Sequence, residues 1–427
     1  MASLLSVMKC NDTRDEDAID SLIKMPFEPS ADIRKQLIEE VVTTCERRFY
    51  DPALHHVRLR ELLEQEQDRL LASTAFSRDL NAVLSQLNAY PVEFGHESER
   101  RVGLWKAIQC SFHRWNGGWM FQDVLPDGHA DRAGVRPGAQ LLAVDGITTT
   151  NEDIPRFRPT TGIVKVTFQN PRGSSQSFEF NPAAKQDDSN TRFVTHKLLE
   201  SGVGYIRISK FLGIVGIDVA RATDAAIRAL LKPSVLIVDM RGNLGSVGAG
   251  NLRLMSYMTP DRVPVGYSLT RRRAEQGYRR EDLAAFNSIP RWKWLAPFTL
   301  WKFKNVDKSI ALVTEGLKRQ SFHGRTIMLV NEHTISGGEI VAGFASEHKF
   351  ATLIGTPTAG KLLGFATVPV GHECFFTLPT VNYLTWSGKS FEGSGVIPDI
   401  HVPFNPEAAV NGTDVQLDAA IQQARTL

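Results

Sequence analysis

The 427-residue sequence predicts a multidomain α/β protein. Three stretches predict it: helical periodicity from Asp32 to Leu87, strand-and-turn character from Val92 to Phe180, and strands alternating with helices after Arg192. The corresponding divisions are an N-terminal extension over 1–31, a helical module over 32–90, a small β-rich domain over 91–182 and an α/β domain over 183–427.

In the helical module, Ile33, Leu37, Val41 and Val42 recur at three- and four-residue spacing, and a second apolar stripe runs through Leu59, Leu62, Leu63 and Leu70, with Asp51-Pro52 between them. The β-rich part shows WMFQDVL, AQLLAVDG, IVKVTF and SQSFEF, each bounded by glycine, proline or asparagine. The polar, aperiodic stretch Asn181–Asn190 reads as a linker. Beyond it come VGYIRI, an alanine-rich helix from Asp218 to Leu231, VLIVDM, a helix after Gly245, TIMLVN, a helix after Gly337, and KFATLIG. Short apolar strands separated by helices build a mainly parallel sheet with helical cover, and sites form in the loops at the carboxyl ends of such strands. From Tyr267 to Gly324 the alternation is interrupted by a basic and aromatic stretch that includes RWKWLAPFTLWKFK, expected to be a substrate-covering insertion.

Composition excludes several classes. A 42% hydrophobic and 22% charged chain with net charge +2 has no wholesale preference for nucleic acid, although 12 Lys and Arg face 5 acids between Arg271 and Arg319. Cys10, Cys45, Cys110 and Cys374 are too scattered for a zinc site or a disulfide framework, and the serine and lysine chemistry read below requires neither metal nor cofactor. Early acids, Asp12, Asp15, Glu16 and Asp17, are wrong for a signal peptide, and no apolar run reaches membrane-spanning length. The sequence as it stands therefore reads as cytoplasmic, with an exported mature form and a homo-oligomer left open.

The chemistry concentrates in two segments. Ser336 in VNEHTISGGEIVAG and Lys361 in GTPTAGKLLG each sit where a strand gives way to glycine-rich backbone. A serine hydroxyl becomes a competent nucleophile only when a neighbour takes its proton, and a lysine can do so only as the free amine. Leu362, Leu363 and Phe365 would supply the desolvation that favours this form, while Gly337 and Gly338 leave room for a substrate carbonyl beside a backbone N–H. A serine before two glycines is also a common helix cap, so the lysine and its surroundings carry the reading.

A rival is the phosphate loop: GTPTAGK has its glycine–lysine spacing, and VLIVDM resembles the strand whose aspartate binds magnesium in NTPases. Leu362 stands where the hydroxyl ligand should be, and the aspartate strand precedes the loop instead of following it.

These motifs together resemble the carboxyl-terminal processing, or tail-specific, serine proteases of the Ser/Lys dyad type, over nearly the whole chain after Asp32. Ser336-Gly337-Gly338-Glu339 matches that family's nucleophile motif, Thr358-Ala359-Gly360-Lys361 its general-base motif, DMRGNLGS its glycine turn, and FEGSGVIPDIHV its late signature with Gly395, Pro398 and Asp399. The resemblance implies a crotonase-like α/β protease core, an inserted PDZ domain and a helical lead-in, the last matched by ERRFYDPALHHVRLRELL. GGWMFQDVLPDGHADRAGVRPGAQLLAVDG resembles the PDZ domain, with Asn116, Gly117, Gly118 and Trp119 as candidates for its carboxylate loop, though these residues also suit a tight turn.

The implied function is cleavage of protein or peptide substrates near their carboxyl ends. Ser336 would be nucleophile, Lys361 base, the N–H groups of Gly337 and Gly245 the oxyanion donors, and Thr358 and Glu339 supports. Three departures from the family are visible: Phe365 replaces a glutamine that orients the lysine, Ser246 a glycine, and Gly337-Gly338 an Ala-Ser pair. Two alternatives stay open, a histidine base drawn from His333, His372 or His401, and a catalytically silent protein that only binds peptide tails.

Overall fold

The computed structural model describes residues 27–426 apart from 53–54, 88, 150–153, 160–161, 185–191, 200–201, 212–215 and 291–308. The expected extension up to Pro26, most of the linker, and the RWKWLAPFTLWKFK segment lie outside the described residues.

Helices α1 (Ala31–Arg48), α2 (His55–Gln65), α3 (Gln67–Leu71) and α4 (Phe76–Leu84) form the N-terminal module, α1 being capped by the Ser30 hydroxyl. Their apolar stripes, among them Leu37, Val41, Leu63 and Phe76, converge on one core. That core is completed by Val370, Cys374, Phe376 and Leu378 from the far end of the chain. Strand β1 (Glu93–His96) leaves the helices and pairs antiparallel with residues Cys374–Thr377. The expectation that residues from 91 onward belong to the small β-rich domain is corrected for this strand, because its hydrogen bonds go elsewhere.

The small β unit contains β2 (Val102–Gly103), α5 (Leu104–Ile108), β3 (Cys110–Trp115), β4 (Gly118–Val124), α6 (His129–Arg132), β5 (Gln140–Val144), β6 (Ile147–Thr148), β7 (Arg156–Phe157), β8 (Val164–Gln169) and β9 (Ser175–Phe180). Its main sheet runs β3-β4-β5-β8-β9 and closes over Phe112, Phe121, Val166 and Phe168.

After β10 (Val194–Leu198) come β11 (Gly204–Ile208), α7 (Ile217–Ala229), β12 (Val235–Asp239) and α8 (Ala249–Tyr257). Then follow β13 (Pro264–Thr270), α9 (Arg271–Gln276), β14 (Ala284–Phe286), β15 (Ile310–Val313), β16 (Arg325–Val330), α10 (Gly337–Glu347) and β17 (Thr352–Gly355). The chain finishes with β18 (Gly364–Gly371), β19 (Cys374–Thr385), β20 (Ile400–His401), α11 (Pro406–Val410) and α12 (Val415–Ala424).

The central sheet has the order β10-β11-β12-β16-β17-β20, parallel except for β10 at one edge. Alternation along its strands serves two cores. Leu236, Val238, Met328 and Val330 pack with α8 and α10, while Ile237, Ile327 and Leu329 face Ala420 and Ala424 of α12.

A second sheet, β1-β19-β13-β15-β14 with β18 on β19, was not expected. Part of the stretch read as an insertion is therefore built into this sheet as β13, β14 and β15, with Tyr267 and Leu269 buried in it.

Candidate active site

Three loops leave the carboxyl ends of adjacent parallel strands β12, β16 and β17, as the alternation predicts. Buried asparagines join them. Asn331 accepts from Gly242 N at 3.0 Å, and Asn243 donates to Ile208 O at 2.7 Å while its own carbonyl accepts from Ile335 N at 3.2 Å. Thr334 donates its hydroxyl to Met240 O at 2.9 Å and accepts through its carbonyl from Ala359 N at 3.1 Å. Neither asparagine was singled out in the sequence, because each acts through contacts that only the converging loops create.

Ser336 precedes the first turn of α10 with φ 51° and ψ −114°, a conformation sparsely populated by residues with a Cβ. Its backbone N–H donates to Glu339 Oε2 at 3.0 Å, the reaching-back half of a capping box. Glu339 has no exposed surface and gathers three further donors: Thr358 Oγ1 at 2.8 Å and Gly360 N at 2.6 Å on one oxygen, and Lys361 N at 2.8 Å on the other. One carboxylate thus holds the backbone of both Ser336 and Lys361. Burial raises the Glu339 pKa, and its four hydrogen bonds oppose the rise. Thr358 also accepts from Val396 N at 2.7 Å, which packs the late SGVIPD segment against the same loop.

Gly337 opens α10, and its N–H has no acceptor among the described residues. With the helix N-terminus behind it, this is a donor suited to a developing oxyanion. Gly245, at φ 76°, lies against Ser336, but its N–H donates to Asn243 Oδ1 at 2.9 Å. The site depends on glycine at 337, where an added Cβ would stand 1.7 Å from the Ser246 carbonyl oxygen. Gly337→Ala should push that turn aside, costing about 1–3 kcal/mol and most of the activity, as thermal melts and peptide turnover would report.

The Lys361 amine is held below the usual lysine pKa by burial, while Glu339 and Glu392 pull it upward. It lies 4.3 Å from the centre of the Tyr90 ring, and no hydrogen bond joins it to Ser336 Oγ. Phe365, in the place of the family's orienting glutamine, is exposed in β18. Glu392 instead accepts from Leu362 N at 2.8 Å and Leu363 N at 3.1 Å. Neither Tyr90 nor Glu392 was anticipated, since both are distant in sequence from the motif they flank.

Two of the three histidine candidates are engaged elsewhere, and the third sits on another strand. His333 contacts Gln122 Oε1 at 3.1 Å, His372 contacts Gln36 Oε1 at 3.2 Å, and His401 lies in β20 opposite Gly355. The phosphate-loop rival also fails on geometry. The Gly360 and Lys361 N–H groups that would face a phosphate are bonded to Glu339. Asp239 is enclosed by Arg241 at 2.7 Å, Tyr205 at 2.7 Å and Arg207 at 3.1 Å. Burial alone would raise the Asp239 carboxyl, but the two arginines hold it well below the usual carboxylate range. Among the described residues no group of side chains could hold a metal ion, and no helix is long and apolar enough to cross a membrane.

The expected carboxylate loop is corrected. Asn116 and Gly117, at φ 51° and 75°, are the two-residue turn of the β3–β4 hairpin, the favoured place for Asn-Gly. Gly118 and Trp119 already pair with Trp115 and Arg114, and β4 lies between β3 and β5, so these residues offer no open edge to a peptide. What β4 does offer is a dock onto the loop that follows β16. Gln122 Nε2 donates to Glu332 Oε1 at 2.9 Å, and Asp123 Oδ2 accepts from Asn331 at 2.8 Å.

Residues 202–402 match the model of peptidase family S41. The chain is 24% identical over 311 residues to the carboxyl-terminal-processing protease of Synechocystis sp., covering 68% of this chain and 61% of that one. It is 40% identical over 91 residues to the carboxy-terminal-processing protease of Bartonella bacilliformis, 21% of each chain. These matches span between a fifth and about 61% of the relatives' own length. A chloroplastic carboxyl-terminal-processing peptidase of Arabidopsis thaliana is 23% identical over 410 residues, 90% of this chain and 75% of its own. Two solved structures share the fold. The photosystem II D1 C-terminal processing protease has a TM-score of 0.52 at 18% identity, covering 88% of this chain and 94% of that one. Mature CPAF complexed with lactacystin has 0.53 at 13%, covering 89% and 96%.

Proposed function

From the match of residues 202–402 to the model of peptidase family S41, we propose that this chain is a serine peptidase of that family that hydrolyses protein or peptide substrates near their carboxyl ends through a Ser336/Lys361 dyad. The observation that carries this reading is the Glu339 carboxylate, whose hydrogen bonds fix the backbone of nucleophile and base together at the ends of neighbouring strands.

In the reaction, Ser336 Oγ attacks the scissile carbonyl carbon as its proton passes to neutral Lys361 Nζ, and the Gly337 N–H faces the oxyanion. Lys361 returns that proton to the departing amine, leaving an ester on Ser336. Water then attacks the ester with Lys361 again as base, releasing the new carboxyl end and the free serine. The small β unit, in the PDZ manner, would hold a substrate's tail along an open sheet edge, which here is β3 or β9. Its contacts through Gln122 and Asp123 to the loop preceding Ser336 make it a natural reporter of substrate to the site.

The test is a peptide library varied at its carboxyl end, digested by wild type and by Lys361→Ala and read by mass spectrometry. Lys361→Ala should lose about 10²–10⁴-fold, the usual contribution of a positioned base. In the wild type kcat/KM should rise with pH as Lys361 loses its proton, with a midpoint below the ordinary 10.5 because burial lowers its pKa. Near-normal turnover by Lys361→Ala would sink the dyad. Undiminished peptide binding without cleavage by the wild type would instead mark a silent binding protein.

A further inference from the structure

We propose that Tyr90 is a positioning residue that holds the Lys361 ammonium in a resting place away from Ser336, so that the base reaches the nucleophile only when the Tyr90 ring gives it up. The proposal rests on the dyad reading above and adds to it a holder for Lys361.

The geometry is specific. Lys361 Nζ stands 4.3 Å from the Tyr90 ring centre, well inside cation–π range, and makes no hydrogen bond to Ser336. The face of an aromatic ring attracts an ammonium and has little for a neutral amine, whereas the base in the reaction must be neutral. The contact therefore favours the idle form of the lysine. Tyr90 follows the last helix of the N-terminal module and stands just ahead of β1, while Lys361 ends the loop after β17, so the contact joins two modules. Tyr90 is 51% exposed, so a substrate that reaches Lys361 can also reach and displace its ring.

Other groups facing Lys361 act alongside the ring. Glu339 and Glu392 favour its charged form and burial opposes it, while Glu93 and Arg156 act on the Tyr90 side. Glu392 is fixed by the Leu362 and Leu363 N–H groups and also accepts from the backbone N–H of Tyr90, which a side-chain change at Tyr90 leaves in place. The backbone at Lys361 is held by Glu339 independently of the ring. A change at Tyr90 thus frees the amine without dismantling the loop.

The ring does two separable things: it covers the amine from water, and its face attracts the charge. Leucine and methionine keep the cover without the face, and phenylalanine keeps both. The experiment compares wild type with Tyr90→Phe, Tyr90→Leu and Tyr90→Met in the full chain. Trace acetylation by acetic anhydride is run across a pH series, and the Lys361 peptide is quantified by mass spectrometry. The reagent labels only the neutral amine, so the titration of Lys361 is read without any substrate.

The expected result is a wild-type titration for Tyr90→Phe and a midpoint about half to one pH unit lower for Tyr90→Leu and Tyr90→Met. On the acid limb of kcat/KM the same two variants should gain about 3–10-fold. A midpoint that stays put or rises in the aliphatic variants, with circular dichroism unchanged, overturns the proposal. Failure of the dyad itself shows up separately, as turnover that survives Lys361→Ala.

Discussion

Ser336→Ala is expected to reduce peptide hydrolysis by about 10⁴-fold or more, because removal of a nucleophile leaves only binding and oxyanion stabilisation. The fold should hardly notice. The interaction that fixes this position uses the backbone N–H of residue 336, donated to Glu339, and alanine keeps it. A companion variant separates chemistry from strain. Ser336 sits at φ 51° and ψ −114°, where a residue with a Cβ is strained by about 1–3 kcal/mol. Ser336→Gly should therefore abolish hydrolysis and yet raise the unfolding free energy by about 1 kcal/mol. Turnover by mass spectrometry, with chemical denaturation of all three proteins, reads both effects. Equal cleavage by wild type and alanine variant would remove Ser336 from the mechanism.

Glu339→Gln carries the largest expected cost to stability. Glutamine relieves the desolvation of a buried carboxylate, which raises the Glu339 pKa, but it keeps one acceptor oxygen where four donors converge. Two of those donors would then meet an NH₂ group. Each buried donor left without an acceptor costs about 1–3 kcal/mol, so the loss of partners outweighs the relief and the variant should lose about 2–5 kcal/mol. Activity in the folded fraction should also collapse, since the Ser336 and Lys361 backbones would no longer share an anchor.

The pH dependence has a definite sign. With its pKa above the ordinary 4.5, folded Glu339 binds more protons than the unfolded chain between those two values. This group's contribution to stability is therefore full below 4.5 and is lost as pH rises through its folded pKa. Asp239, held low by Arg241 and Arg207, works the other way: its contribution is present above the ordinary 3.8 and is lost in strong acid. Chemical denaturation of wild type and Glu339→Gln across pH 4–7 isolates the first effect.

The parallel core was legible because strands buried on both faces, such as VLIVDM and TIMLVN, leave uninterrupted apolar runs that composition alone reveals. That Ser336, Lys361 and Glu339 would be brought together was legible because each belongs to a short local motif. The second sheet was not. Its β18–β19 hairpin turns at His372-Glu373, both at positive φ, where Asn-Gly would have been the recognisable signal, and Pro369 and Pro379 interrupt the strand pattern. The opposite error occurred at Asn116-Gly117, where a strong hairpin signal was read as a binding loop. Tyr90 carries no motif at all, and only the folding of the N-terminal module against β18 and β19 brings it to Lys361.

Strand β1 makes the helical lead-in a part of the second sheet, laying Glu93–His96 along Cys374–Thr377. A shortened chain beginning after this strand would lose both the ladder and the helices that cover Val370, Phe376 and Leu378. It would then present a greasy sheet face beside an unpaired strand edge, the combination that drives chains to associate with one another. The lead-in is thus also a solubility device, and recombinant fragments trimmed to the family-matching segment should be recovered as aggregates.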